Sequence, residues 1–267
     1  MPTLPTLIRP IAVSRIALVV AVAGIAACGR ADQSGSRAFE TIATFPHDST
    51  AYTQGLLWAD SALFESTGLN GHSEVRRVDL RSGRVLASRA LPADRFGEGL
   101  VLFKGRLYQL TWQSGVAYVY DAATLALVDS LKYPGEGWGL ATDGTSLIMS
   151  DGSDSLRVVT PETFAVERVV HVRYKGAPLK QLNELEFVGG DLLANVYETN
   201  WILRIDPKTG AVRELLDFAD LYPSRSPRAE VMNGIAIAPD GRDLLLTGKM
   251  WPTLFEVRLR DTSRAAP

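Results

Sequence analysis

The chain reads as an all-β protein, a five-bladed β-propeller whose ring is closed by its N- and C-terminal strands. Three observations predict this. One phrase keeps returning: Gln54-Gly55-Leu56, Glu98-Gly99-Leu100, Trp138-Gly139-Leu140 and Asn233-Gly234-Ile235. Each copy opens an apolar stretch and sets a different side chain before a glycine. A second phrase, apolar-Asp then a turn, begins at Val78-Asp79, Tyr120-Asp121 and Ile205-Asp206, with Val159-Thr160 a degenerate copy. Positions 79, 121, 160 and 206 are 42, 39 and 46 residues apart, about the 40–45 residues of one four-stranded blade. Long amphipathic helical patterns are missing, and two β-sandwiches would leave so long and regular a period unexplained.

The elements follow in order. Blades start near Thr53, Gly97, Gly137, Asn183 and Asn233. Arg106–Leu110, Val116–Tyr120, Ser146–Met149 and Leu203–Ile205 are short, apolar and rich in β-formers. Asp143-Gly144, Asp151-Gly152, Gly189-Gly190 and Asp240-Gly241 are hairpin signals between strands. The last repeat lacks a strand by Leu259, and Phe39–Phe45 can supply it, leaving only short, protected edges. Residues 175–181 and 222–230 read as insertions, which on a propeller tend to decorate the binding face. The propeller is assigned to 39–260 and a disordered tail to 261–267.

The N-terminal region reads as a leader. Arg9 and Arg15 precede an apolar run from Ile16 to Ala27, too short to span a bilayer comfortably and suited to a secretory signal. Ile25-Ala26-Ala27-Cys28 resembles the bacterial lipobox, which implies cleavage before Cys28 and lipidation of its thiol; ordinary cleavage after Ala27 is the alternative. Residues 28–38 read as a flexible tether. The expected location is extracytoplasmic, in the periplasm or on a cell-envelope membrane, with the membrane reached by the lipid anchor only. Cys28 is the single cysteine, so an intramolecular disulfide is excluded and stability must come from a core. Removing 1–27 takes two arginines and no acid, leaving 26 basic against 30 acidic residues. No basic run stands out, which argues against nucleic acid as a partner. The domain is expected to act as a monomer.

In a propeller the innermost strand of each blade lines the central channel, so equivalent positions converge. The residues before the glycines (Gln54, Glu98, Trp138 and Asn233) are placed at the channel mouth, with Asn183 and Glu184 from blade four. The second strands offer Trp112, Ser150, Tyr197 and Lys249. Aromatic walls with a few amides, carboxylates and one amine describe a ligand pocket.

Tyr-Thr-Gln-Gly-Leu (52–56), Glu-Ser-Thr-Gly-Leu (65–69), Phe-Gly-Glu-Gly-Leu (96–100), Leu-Thr-Trp (110–112) and Gly-Glu-Gly-Trp-Gly-Leu (135–140) carry a resemblance, as do Met-Ser-Asp-Gly-Ser (149–153), Leu-Asn-Glu-Leu-Glu (182–186) and Thr-Gly-Lys-Met-Trp-Pro (247–252). In that order and spacing the sequence resembles the plant and bacterial glutaminyl-peptide cyclotransferases, from about Thr41 to Val257. The resemblance implies a five-bladed propeller that converts the N-terminal glutamine of peptides or proteins to pyroglutamate and releases ammonia, with no cofactor.

The chemistry is an intramolecular attack of the neutral α-amine on the γ-amide carbon. Its needs are orientation, a proton shuttle and donors for the oxyanion. Glu98, between two glycines, is the shuttle that the resemblance implies; a structural carboxylate bonding strand amides is the alternative. Lys249 and Asn183 are candidate donors to the γ-carbonyl oxygen, and Gln54 positions the substrate. The bland readings are a solvated turn lysine and strand or turn caps. Tyr52, Phe96, Trp112, Trp138 and Tyr197 form the walls, although Phe96 and Tyr52 read equally well as blade core. Tyr197 departs from the family's usual tryptophan in Asn-Val-Trp, which bears on substrate preference. A non-catalytic peptide- or envelope-binding propeller and a metal-dependent lactonase-type hydrolase are the rival functions.

Other constellations are weaker. His47, His72 and His171 lack zinc-ligand spacing and read as surface loop histidines. Asp151 and Asp154 fall short of an EF-hand and read as a hairpin turn. No metal site is assigned. Glu184 and Glu186 would share one strand face, either as partners of Lys249 or simply solvated. Gly135-Glu136-Gly137-Trp138-Gly139 lacks the following helix of a nucleotide fingerprint.

Overall fold

The computed structural model describes residues 39–260. The readings made for 1–38, including Cys28, and for 261–267 lie outside the described residues. The chain opens with β1 (Phe39–Pro46) and then builds four-stranded antiparallel sheets in sequence order. Blade one is β2 (Thr53–Ala59), β3 (Ala62–Thr67), β4 (Glu74–Val78) and β5 (Val85–Ala90). Blade two is β6 (Gly97–Phe103), β7 (Arg106–Thr111), β8 (Val116–Asp121) and β9 (Leu127–Lys132). Blade three is β10 (Leu140–Thr142), β11 (Leu147–Met149), β12 (Ser155–Val159) and β13 (Val166–His171), followed by a small hairpin of β14 (Arg173–Tyr174) and β15 (Ala177–Pro178). Blade four is β16 (Leu182–Val188), β17 (Asp191–Val196), β18 (Trp201–Ile205) and β19 (Val212–Asp217). Blade five is β20 (Met232–Ile237), β21 (Leu244–Gly248) and β22 (Thr253–Leu259), completed by β1 as its outermost strand. Phe39 pairs with Leu259 and Pro46 with Thr253, so the ring is closed by the two ends of the chain, as the missing strand implied.

The core lies between blades. Leu57, Phe64 and Val75 of blade one pack on Leu100, Leu107 and Tyr120 of blade two. Equivalent clusters join blades two and three, three and four, four and five, and five and one. Each strand sandwiched this way is buried on both faces, which is why the apolar runs alternate poorly. The outer strands β5, β9 and β13 are exposed along most of their length.

The returning phrase marks the axis. A side chain at Gly55 would stand 2.5 Å from the Leu100 nitrogen, and one at Gly99 would stand 2.5 Å from the Leu140 nitrogen. A Cβ on Gly139 would overlap the Asn183 carbonyl. Each glycine therefore lets one inner strand abut the next. Blade four has Glu184 in place of that glycine. Its carboxylate accepts the Leu56 N–H at 2.9 Å and the Ile235 N–H at 2.9 Å, tying blade four to blades one and five across the axis. Burial pushes the Glu184 carboxyl well above its usual range. Glu186 is likewise pushed up to about 8 by burial, and bonds the Ile237 amide. Both carboxylates are held by backbone in the axial channel, and neither is a partner of Lys249.

One histidine departs from expectation. His72 and His171 are exposed, but His47 is buried at the ring closure. Its Nδ1 faces the Trp251 carbonyl at 2.6 Å and its Nε2 faces Glu65 Oε1 at 3.0 Å. Both partners are acceptors, so the ring satisfies them only as the imidazolium. Arg76 also bonds Glu65 (2.9 Å) and reaches Asp48 (2.9 Å), and Thr53 donates to Glu65 at 2.7 Å. Burial alone would lower the His47 pKa, but the Glu65 charge and hydrogen bond outweigh it and leave it raised. Glu65 would also be raised by burial, but His47 and Arg76 hold it down at about 2.

Two outcomes follow for stability. Gly139→Ala forces apart two inner strands and should lower the unfolding free energy by about 3 kcal/mol, read from urea melts. The His47 contribution is full below its unfolded value of 6.5 and is lost as pH rises through the raised folded value. The Glu65 contribution is full above 4.5 and is lost as pH falls through about 2. The urea midpoint of the wild type should therefore fall between about pH 6 and about pH 9 by more than that of His47→Gln.

Candidate active site

The inner strands share an irregularity that aims side chains into the channel. Register shifts fall between Thr53 and Gly55 in β2, Gly97 and Leu100 in β6, Leu182 and Leu185 in β16, and Met232 and Ile235 in β20. Each is a bulge at the phrase, and a bulge re-aims the extra side chain. In blade three Trp138 and Gly139 precede β10, and the Trp138 carbonyl accepts the Gly99 N–H at 2.7 Å.

These bulges open a pocket of about 320 Å³ lined by Tyr52, Gln54, Phe96, Glu98, Trp112, Trp138, Asn183, Tyr197 and Lys249. All nine residues singled out in the sequence for catalysis or substrate binding thus come together. Tyr52, Phe96 and Trp138 enter just before inner strands, while Trp112, Tyr197 and Lys249 follow the ends of the second strands β7, β17 and β21. Asn233 and Ser150 stay beneath the pocket. Asn233 donates to the Thr53 carbonyl at 3.1 Å and to Gln54 Oε1 at 3.3 Å. Ser150 donates to the Asn183 carbonyl at 2.7 Å and accepts the Gly139 N–H at 2.8 Å. Both brace residues that line the pocket.

The polar floor is buried. Glu98 is 4% exposed and Lys249 is 3% exposed. Gln54 Nε2 donates to Glu98 Oε1 at 3.0 Å. The Glu98 carbonyl is fixed by Ser66, itself bonded by Gln109 at 2.7 Å. Burial pushes the Glu98 carboxyl well above its usual range; Lys249 pulls it back, and Glu136 pushes it further up. Burial lowers the Lys249 pKa against the opposing pull of Glu98 and Glu230. The ammonium lies 4.7 Å from the Tyr52 ring centre and 5.0 Å from that of Tyr197, so both faces attract it. Asn183 is buried, and its Oδ1 has no hydrogen-bond partner among the described residues.

The walls interlock edge to face. Tyr52 meets Phe96 with ring centres 6.0 Å apart, Phe96 meets Trp112 at 5.7 Å, and Trp138 meets Tyr197 at 5.5 Å. All five wall rings remain accessible, so Phe96 and Tyr52 are pocket residues and not blade core. Insertion 222–230 borders this face: its Glu230 N–H bonds the Lys249 carbonyl at 2.9 Å, and its carboxylate takes the Tyr52 hydroxyl. Burial, then the Glu230 charge, raises the Tyr52 pKa. Two rim carboxylates, Glu136 and Glu230, escape a reading of sequence alone, because most of their partners come from other blades. The flanking glycines of Glu136 are the only local sign.

Asp151 forms the expected turn, accepting the Ser153 N–H at 3.0 Å. Asp240, Asp243 and Glu256 gather three carboxylates within 4.8 Å outside the pocket, where Arg258 bonds Asp243 at 2.9 and 2.7 Å.

A ring of blades with a buried, mutually perturbed carboxylate and ammonium under an aromatic collar defines a propeller enzyme of acid–base chemistry. The comparisons narrow that class. A family model described as glutamine cyclotransferase matches residues 14–259. The chain is 42% identical over 230 residues to an Arabidopsis thaliana glutaminyl-peptide cyclotransferase, covering 84% of this chain and 72% of the relative. It also superimposes on the crystal structure of Myxococcus xanthus glutaminyl cyclase with a TM-score of 0.78 and 36% identity, covering 84% of this chain and 97% of the other. The chain belongs to the glutamine cyclotransferase family, enzymes that cyclise glutamine to pyroglutamate.

Proposed function

We propose that this enzyme cyclises the N-terminal glutamine of peptides or proteins with Glu98 as the single proton carrier. The observation that carries the reading is the buried Gln54–Glu98 hydrogen bond beside Lys249 at the floor of the aromatic pocket. The α-amine attacks the γ-amide carbon, forming the ring C–N bond. Glu98 accepts an amine proton and returns it to the γ-nitrogen, whose bond to carbon breaks to release ammonia. A carboxyl raised by burial suits both halves of that transfer.

Lys249 and the Asn183 amide are the proposed donors to the oxyanion. A dry, preorganised pair of donors serves developing charge better than water does. The apolar walls favour the neutral amine needed for attack by penalising its charged form. Gln54, held by Asn233, orients both Glu98 and the substrate.

The remaining readings are proposals of the same kind. The domain acting as a monomer is one of them. Arg9, Arg15, the apolar run and Ile25–Cys28 support export and a lipid anchor. Mass spectrometry of the mature N-terminus tests the anchor: an unmodified Cys28 overturns it.

Glu98→Gln should cut release of ammonia from a Gln-initiated dipeptide by about 10³-fold with the thermal midpoint unchanged; near-normal turnover removes Glu98 from the mechanism. Lys249→Met and Asn183→Ala should each lower kcat by about 10²-fold and leave KM near wild type. A stability loss without a kcat loss would make either residue structural. The same assay with a chelator separates this chemistry from a metal-dependent hydrolase, since the proposed mechanism predicts that turnover survives.

A further inference from the structure

Glu136 lies outside the chemistry above, yet its carboxylate joins two walls of the pocket. Oε2 accepts the indole N–H of Trp112 at 2.8 Å and that of Trp138 at 3.0 Å, while Oε1 accepts from Gln113 at 3.0 Å. Trp112 follows β7 in blade two and Trp138 precedes β10 in blade three, so one side chain spans a blade boundary. Indole nitrogen is a donor only, so both rings are turned with their N–H edges to the same oxygen. Trp112 is 37% exposed and would otherwise be free to swing at the rim.

Glu136 is itself held. Its carbonyl and that of Pro134 accept from Arg157, which also pairs with Asp151 at 3.5 Å. A side chain at Gly137 would stand 2.5 Å from the Tyr133 hydroxyl, so the turn leaves the Glu136 backbone little latitude. Movement of either indole would pass to Phe96 or Tyr197 through their edge contacts.

We propose that Glu136 is a positioning residue for the cyclisation: it fixes the gap between Trp112 and Trp138 that receives the glutaminyl side chain. This rests on the cyclotransferase reading of the pocket. A second consequence is electrostatic. The groups that face Glu98 are Gln54, Lys249, Glu136 and the phenols of Tyr52, Tyr133 and Tyr197. Of these, Lys249 favours the carboxylate and Glu136 disfavours it. Removing the Glu136 charge lets Glu98 ionise at lower pH.

The test uses the full chain with a Gln-initiated dipeptide. Glu136→Ala should raise KM about tenfold while kcat changes by less than about threefold, and should red-shift the tryptophan emission as the indoles come loose. Glu136→Gln keeps one acceptor oxygen, so its KM should rise less. Both variants should move the acid limb of the kcat/KM profile to lower pH, a change that lost packing would not produce. Glu136→Ala with wild-type KM, emission and acid limb overturns the proposal. Should Glu136→Ala fold poorly, the pH limb and KM of Glu136→Gln decide it, with wild-type values in both overturning it. Wild-type turnover in the same assay tests the cyclotransferase reading separately, and the emission shift reads the clamp without turnover.

Discussion

Five backbones that converge on one axis leave no room for side chains at their closest approach. That constraint explains the glycines at 55, 99 and 139, each of which would strike the neighbouring strand if it carried a Cβ. It also explains what happens where the glycine is missing. Glu184 fills the gap with a carboxylate that satisfies two amides from other blades. A buried carboxylate is costly unless its oxygens are bonded, and here each oxygen has a backbone donor. The axis is thus held by close backbone contact in three blades and by one polar bridge.

The active pocket grows out of the same constraint. An inner strand cannot place a large side chain at the glycine, so the bulge presents the residue before it. Gln54 and Glu98 reach the pocket by that route, Asn183 does so from the bulge before Glu184, and Asn233 supports Gln54 from below. Burial then acts on both charges at once, raising Glu98 and lowering Lys249, while their mutual attraction opposes both shifts. The two groups are thereby brought toward each other in proton affinity. Aromatic faces around the ammonium compensate part of its lost hydration without supplying a second full charge.

Blade number, blade starts and the closing strand are legible in the sequence because they rest on periodicity and local turn chemistry. The period between apolar-Asp turns needs no knowledge of contacts. The bulges are not legible, since a one-residue shift of register leaves no mark in composition. His47 is misread for a related reason: its partners, Glu65 and the Trp251 carbonyl, lie 18 and 204 residues away. The pocket residues sit between these cases. The phrase points to Gln54 and Glu98 directly, whereas Lys249 and Tyr197 come from the second strands and take their roles from the resemblance. Glu136 has a role only once two indoles from two blades are seen to share it.

The direction of β1 and β22 bears on how the enzyme meets its surroundings. His47 and Thr253 sit at the pocket end of the ring, where the His47 N–H bonds the Pro252 carbonyl. Phe39 and Leu259, paired at the other end, lie a strand's length away, about 20 Å. The described residues therefore begin and end at the face opposite the aromatic collar. The mouth of the pocket thus faces away from both ends of the described chain and is open to the free ends of other chains.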